Sequence, residues 1–282
     1  MAVKAIRTTV IAATGAALAL ALTACGGGDE DKRDPQAVLK AAAEKTAAQN
    51  SYRTKRQVTG LEGTERGDYT FSRKPDLAER KTWRTEVKNG KKGPERFDHA
   101  MSEGDMLYTR DPKVAGGRWV SDSLVEEGEE PPKPGDVLKT AEGSLPKLLG
   151  VLRTVKDVRK VGSEKVNGHK ATHFAGTVVL ADLAAYKGDV MRDWLRELYV
   201  ENHRKDGLEK VDVDLWIGKD DLPVKGAEHG KGSKGSTGVT EEYSDFGEDP
   251  KIRIPKGKDL VTQDAWLREV RDKASRGLDP VS

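Results

Sequence analysis

The segment KVDVDLWIG, Lys210 to Gly218, alternates without a break. Val211, Val213, Leu215 and Ile217 fall on one side of an extended chain; Asp212, Asp214 and Trp216 fall on the other. Such a two-residue period describes a strand with one buried face and one wet face. Shorter runs of the same kind fill most of the chain after Ser51: YRTKRQV, RGDYTF, LAERKTWRTEV, GGRWVSD, VRKVG and HKATHFAGTVVL. ERFDHAM and MLYTR flank the turn SEGD as a hairpin, and Val166-Asn167-Gly168 makes another tight turn. Gly60, Gly63, Gly67 and Lys74-Pro75 punctuate the early strands. GKGSKGSTG is expected as a hairpin tip, and KIRIP as the segment that closes the sheet.

Helical spacing interrupts this pattern at few places. Asp34-Pro35 supplies an N-cap acid and a first-turn proline ahead of QAVLKAAAEKTAAQ, whose apolar stripe is Val38, Leu39, Ala42, Ala43 and Thr46. SLPKLLGVL has the spacing of a short helix. Gly188 to Arg204 reads as a second long one, with Val190, Met191, Trp194, Leu195 and Leu198 on one face. Thr262 caps a last helix, TQDAWLREVRDKAS. Between strands, Glu126 to Asp136 is acidic, proline-rich and aperiodic, a surface loop or a boundary between halves. No repeat of fixed period occurs. A helix, many antiparallel strands with helical insertions, and a closing helix predict an α+β fold with a large antiparallel sheet.

The N-terminus sets the compartment. Lys4 and Arg7 precede thirteen apolar or small residues, Val10 to Leu22. That run falls short of the roughly 20 residues needed to span a bilayer and fits a secretory signal peptide. Leu22-Thr23-Ala24-Cys25 resembles the lipobox of bacterial lipoproteins, where cleavage between Ala24 and Cys25 exposes a cysteine for lipidation. An ordinary secreted protein with a cysteine beside its cleavage site is the alternative. Cys25 is the sole cysteine, so no disulfide partner competes for its thiol. Two or three acyl chains, palmitate among them, at about 0.8 kcal/mol per buried CH₂ would hold the protein on the membrane. GGGDEDKRD then forms a tether that cannot bury anything. The expected organisation is a signal peptide over 1–24, a lipidated tether over 25–34 and one domain over 35–282.

Removal of the signal peptide takes away Lys4 and Arg7, which leaves 47 basic residues against 47 acidic ones. The charges are interspersed, without the basic stripe of a nucleic-acid binder. Only 5% of residues are aromatic while 34% are charged, a thin supply of core for this length.

Catalytic patterns are missing. His169 and His173 have a zinc-ligand spacing only on a helix; on a strand four residues span about 13 Å and cannot chelate one ion. No G-x-S-x-G elbow occurs, and GKGSKGSTG lacks the spacing of a phosphate-binding loop. Asp212/Asp214 and Asp220/Asp221 read as a wet strand face and a turn. Neither an enzymatic activity nor a cofactor or metal is expected.

Four stretches in order carry a resemblance. KVDVDLWIGKDDLPVK with EEYSDFGEDPKIRIP, VRKVGSEKVNGHKATHFAGTV, KTAAQNSYR and MLYTRDPKVAGGRWVSD are similar to segments of actinobacterial lipoproteins of the LolA/LppX-like superfamily. The resemblance implies a strongly curved, half-barrel antiparallel sheet covered by helices around an apolar hollow. It further implies a lipid or other hydrophobic ligand held at the extracytoplasmic face of the cell membrane. No catalytic residue comes with it. The residues expected to line the hollow are Phe71, Trp83, Met106, Tyr108, Trp119, Phe174, Val178, Val213, Leu215 and Ile217. The same residues could fill an ordinary core under the helices, and the fold would then serve to sense or bind an envelope protein.

Overall fold

The alternating segments become twelve strands of one sheet. The computed structural model describes residues 32–112, 114–124 and 145–277. The strands are β1 (Ser51–Gly60), β2 (Gly63–Arg73), β3 (Asp76–Lys88), β4 (Lys91–Glu103), β5 (Met106–Arg110), β6 (Trp119–Ser123), β7 (Arg159–Val166), β8 (His169–Val179), β9 (Lys210–Gly218), β10 (Pro223–Gly232), β11 (Gly235–Ser244) and β12 (Leu260–Thr262). Their spatial order is β12-β6-β5-β4-β3-β2-β1-β11-β10-β9-β8-β7, with β12 and β7 at the two edges. Every pairing is antiparallel except the three-residue parallel contact of β12 with β6. The fold is α+β, a large, open, curved sheet covered by helices.

Sequential hairpins explain the order. β1 to β6 are laid down one beside the next, and β7 to β11 likewise; the β1–β11 pairing joins these two runs, and the short β12–β6 contact returns the end of the chain to the first. Turn residues set the register: Asn167 (φ 48°) and Gly168 (φ 82°) occupy the left-handed region that a two-residue hairpin requires. The glycine-rich GKGSKGSTG forms the β10–β11 hairpin, as its composition predicts.

The helices are α1 (Pro35–Ala48), α2 (Leu145–Thr154), α3 (Leu180–Ala185), α4 (Asp193–Lys205) and α5 (Gln263–Ser275). The Asp34 carboxylate accepts from the Gln36 N–H at 2.8 Å, and Thr262 Oγ1 accepts from the Ala265 N–H at 3.3 Å, so both predicted caps form. α1 buries Val38, Leu39, Ala42 and Thr46. Together with α2 and α4 it covers the main core against one sheet face, where Tyr52, Phe71, Phe174, Val178, Val213 and Leu215 point inward.

Three sequence readings need correction. The helix expected from Gly188 starts at Asp193, because Arg192 is extended (φ −67°, ψ 143°) and Tyr186 occupies the space beside Gly188. The strand expected to run through Leu180 stops at Val179, where α3 begins. KIRIP is not a strand: Lys251, just after Pro250, has φ 55°, which breaks the extended path. Ile252 and Ile254 instead pack on Met101, Tyr108 and Trp119. The 126–136 loop, the signal peptide, Ala24, Cys25 and most of the tether lie outside the described residues. Among the described residues, no helix is long and apolar enough to cross a membrane.

Candidate functional site

Strand register decides which side chains share the helix-covered face. Tyr52 pairs with Phe71 and Phe71 with Ala78; Thr54 pairs with Tyr69 and Tyr69 with Arg80; Arg56 pairs with Gly67. Phe174 pairs with Leu215, and Leu215 with Gly226, carrying the same face to the far strands. Residues one position out of phase face the other way.

Between this face and the helices lies a cavity of about 780 Å³. Its sheet wall includes Arg56, Tyr69, Phe71, Ala78, Arg80, Ala100 and Leu107. Its helical wall is supplied by Pro146 and Lys147 of α2, the segment Val190 to Arg192, and Trp194, Leu195, Leu198, Tyr199, Asn202 and His203 of α4. The Phe71–Ala78–Leu107 end is apolar. Two rows farther along the strands, Arg56, Lys147, Tyr199 and His203 make the opposite end polar. At the rim, Trp194 and Leu198, one helical turn apart, stay 40% and 45% exposed.

The polar end is backed by buried charge. Tyr243 donates to Glu241 at 2.7 Å, and Arg56 Nε stands 3.5 Å from the same carboxylate. Lys147 Nζ lies 3.8 Å from Glu228 and 5.5 Å from the centre of the Tyr199 ring. Burial, reinforced by the Glu228 charge, pushes the Glu241 carboxyl up against the opposing pull of Arg56, Tyr243 and Lys147. Burial also raises Tyr199 well above the ordinary phenol value, with Glu228 adding to it. Tyr69, buried beside Glu65 and hydrogen-bonded to it at 3.2 Å, is pushed up to about 12. Both tyrosines therefore stay protonated across the physiological range.

Of the residues expected to line the hollow, Phe71 is on this cavity's wall. Phe174, Val178, Val213, Leu215 and Ile217 share its face but are sealed beneath the helices, each no more than 2% exposed. Those five fill core. Trp83, Met106, Tyr108 and Trp119 belong to the opposite face by register, so they cannot reach the cavity. Trp83 there stacks on Phe97 under the Arg66 guanidinium, and the other three join Ile252, Ile254 and Leu260. The hydrophobic character of these four is legible from sequence, but the phase of β3 to β6 relative to β9 is not.

The residues missed are charged ones in phase with apolar neighbours. Arg56 follows Tyr52 and Thr54 on the inner face, and Glu241 precedes Tyr243 there. A charge at an inward position of a strand is the signal that could have found them. His173 shows the converse. It sits on the outer face, 2.7 Å from Asp214 and stacked on Trp216 at 4.2 Å. Among the described residues, no three His, Cys, Asp or Glu side chains converge as a metal site.

No family model matches the chain. It is 31% identical over 174 residues to a Streptomyces griseus protein described as an uncharacterized 31.2 kDa protein of the rplA-rplJ intergenic region. That alignment covers 61% of this chain and 56% of that one. A Streptomyces coelicolor protein named "Putative lipoprotein" is 29% identical over 97 residues, 34% of this chain and 25% of its own. The chain thus spans about half the length, or less, of the relatives it matches. Among solved structures it is similar to LprF from Mycobacterium bovis (TM-score 0.47, 17% identity, 79% of this chain and 97% of that one). It is also similar to the Mycobacterium tuberculosis lipoprotein LppX (TM-score 0.46, 14% identity, 79% and 100%).

Proposed function

We propose that this chain is an extracytoplasmic lipoprotein, anchored to the cell membrane through acylated Cys25 after cleavage behind Ala24, that binds a lipid or other hydrophobic ligand in the cavity under α4. The single observation that carries the reading is the cavity itself. At about 780 Å³ it lies within the roughly 300–1,000 Å³ usual for ligand sites, and its apolar rim remains open to solvent. Burial of a hydrocarbon tail along Phe71, Ala78, Leu107 and Met191 would be favourable by about 25 cal/mol per Å² removed from water. Signal peptide (1–24), tether (25–34) and domain (35–282) are the divisions this function requires.

Mass spectrometry of an organic extract of the protein purified from its own membranes tests the reading. A stoichiometric amphiphile that is lost when the cavity is filled by Ala78→Phe supports it. A lipid-free extract from intact protein counts against it. Cys25→Ala should leave the precursor uncleaved and unacylated; normal membrane retention of that variant would refute the anchor.

A second reading has one observation in its favour. Phe174, Val178, Val213, Leu215 and Ile217 fill much of the inner face as solid core, so the fold could serve to sense or bind an envelope protein with no lipid inside. Crosslinking in intact cells that captures one defined protein, combined with a lipid-free extract, would favour that alternative.

A further inference from the structure

The charges around the cavity do not cancel within it. Arg56, Arg80, Lys147 and Arg192 line it, against two acids, Glu65 and Glu79, of which Glu79 turns its carboxylate to the opposite face by register. Both acids are engaged by cations that are not part of the lining. Arg84 reaches Glu65 through Nε at 3.0 Å and Nη2 at 2.6 Å. Lys81 and His99 hold Glu79 at 3.0 and 2.7 Å. On the same inner face beside the cavity, Glu228 and Glu241 stand opposite Lys147 and Arg56, but at 3.8 and 3.5 Å. The Arg56 Nε proton finds no hydrogen-bond acceptor among the described residues, and the Tyr199 hydroxyl meets none at bonding geometry. Tyr199 is 2% exposed and lines the cavity, and its hydroxyl, beside the Glu228 carboxylate, is a buried polar group without a bond of good geometry.

Resting on the ligand-binding reading above, we infer that the cavity selects an amphiphile with an anionic head, a carboxylate or phosphate, seated at Arg56, Lys147 and Tyr199 with its chain toward Phe71 and Leu107. A carboxylate or phosphate oxygen accepts hydrogen bonds only, which matches three donors. Charge-assisted bonds of this kind are about twice as strong as neutral ones.

The full chain carrying Cys25→Ser, titrated calorimetrically below micellar concentrations, separates the possibilities. Dodecanoate and dodecyl phosphate should bind at least about tenfold tighter than dodecanol, as a charged hydrogen bond implies, and dodecyltrimethylammonium weakest. Inorganic phosphate alone should not bind detectably, because the chain supplies the apolar burial. The gap between anionic and neutral heads should shrink with added salt in the unaltered protein, and should fall below about threefold in Lys147→Met and in Tyr199→Phe. Equal affinity for dodecanol and dodecanoate, or a preference that survives both substitutions, would overturn the head-group assignment while leaving a hydrophobic ligand in place. Tight binding of free phosphate would overturn the amphiphile. Failure of every amphiphile to bind would remove the ligand-binding reading itself.

Discussion

Gly226 of β10 lies directly beneath Leu148 of α2, so close that a Cβ on the glycine would overlap Leu148 Cδ2 and touch the Tyr243 hydroxyl. Gly176 of β8 meets Leu152 and Val155 of the same region in the same way, with distances of 3.0 and 3.2 Å from an added Cβ. Two side-chain-free positions on the inner face let α2 settle onto the sheet. The helix then carries Lys147 to the cavity's polar end. Gly226→Ala should therefore destabilise the fold by about 1–3 kcal/mol, as overpacking does, and displace Lys147. Denaturant unfolding checks the first part. A stability equal to that of the unaltered chain would show that α2 sits farther from the sheet.

Leu215 separates core from ligand wall. It is fully buried beside Phe174 under the helices and does not line the cavity. Leu215→Ala should cost about 2–5 kcal/mol whether or not ligand is bound. Phe71→Ala, on the wall, should lose stability and also weaken binding of a dodecyl chain. Calorimetry and thermal unfolding on the two variants, with and without dodecanol, give the comparison. A ligand effect from Leu215→Ala as large as that from Phe71→Ala would contradict the assignment.

Trp194 and Leu198 are expected to matter at the rim rather than in the fold. Both are about two-fifths exposed. Replacing both by serine should change unfolding free energy by no more than about 1 kcal/mol. The exchange of a fluorescent fatty acid between the protein and phosphatidylcholine vesicles should slow several-fold, because the tail would cross the rim with no apolar surface to shelter it from water. Unchanged exchange rates would place the entrance elsewhere.

Glu241 should leave a mark on the pH dependence of stability. Its carboxyl is pushed up from the ordinary 4.5 by burial, so the folded chain holds that proton more tightly than the unfolded chain does. Through the window above 4.5, the unfolded state binds fewer protons and stability falls as pH rises. Glu241→Gln removes this group, so unfolding measured from pH 4 upward should show a shallower decline than the unaltered chain, to the extent of the linkage. An unchanged profile would assign the buried charge elsewhere in the cluster.

Much of the fold is legible in the residues themselves. The two-residue period of KVDVDLWIG, the hairpin turns at Asn167-Gly168 and in GKGSKGSTG, and the capping of α1 and α5 are local, and local chemistry specifies them. Where local signals conflict, the reading fails. Gly188 to Arg192 has helical spacing but an extended N-cap residue, and KIRIP alternates like a strand although Lys251 turns it aside.

What the sequence determined alone is which side chains are apolar, how each strand alternates, and where a lone cysteine stands behind a short greasy run. Tertiary structure decided which phase of each strand faces inward. Alternation fixes two faces per strand but not how faces of separate strands line up; that depends on hairpin register and on the long-range pairing of β1 with β11. Trp83 and Phe71 look alike in their own strands, yet pairing through Ala78 puts Phe71 on the cavity and leaves Trp83 on the far side. Arg56, Lys147 and Tyr199 come from a strand and two helices far apart in the chain, and only packing makes them one site.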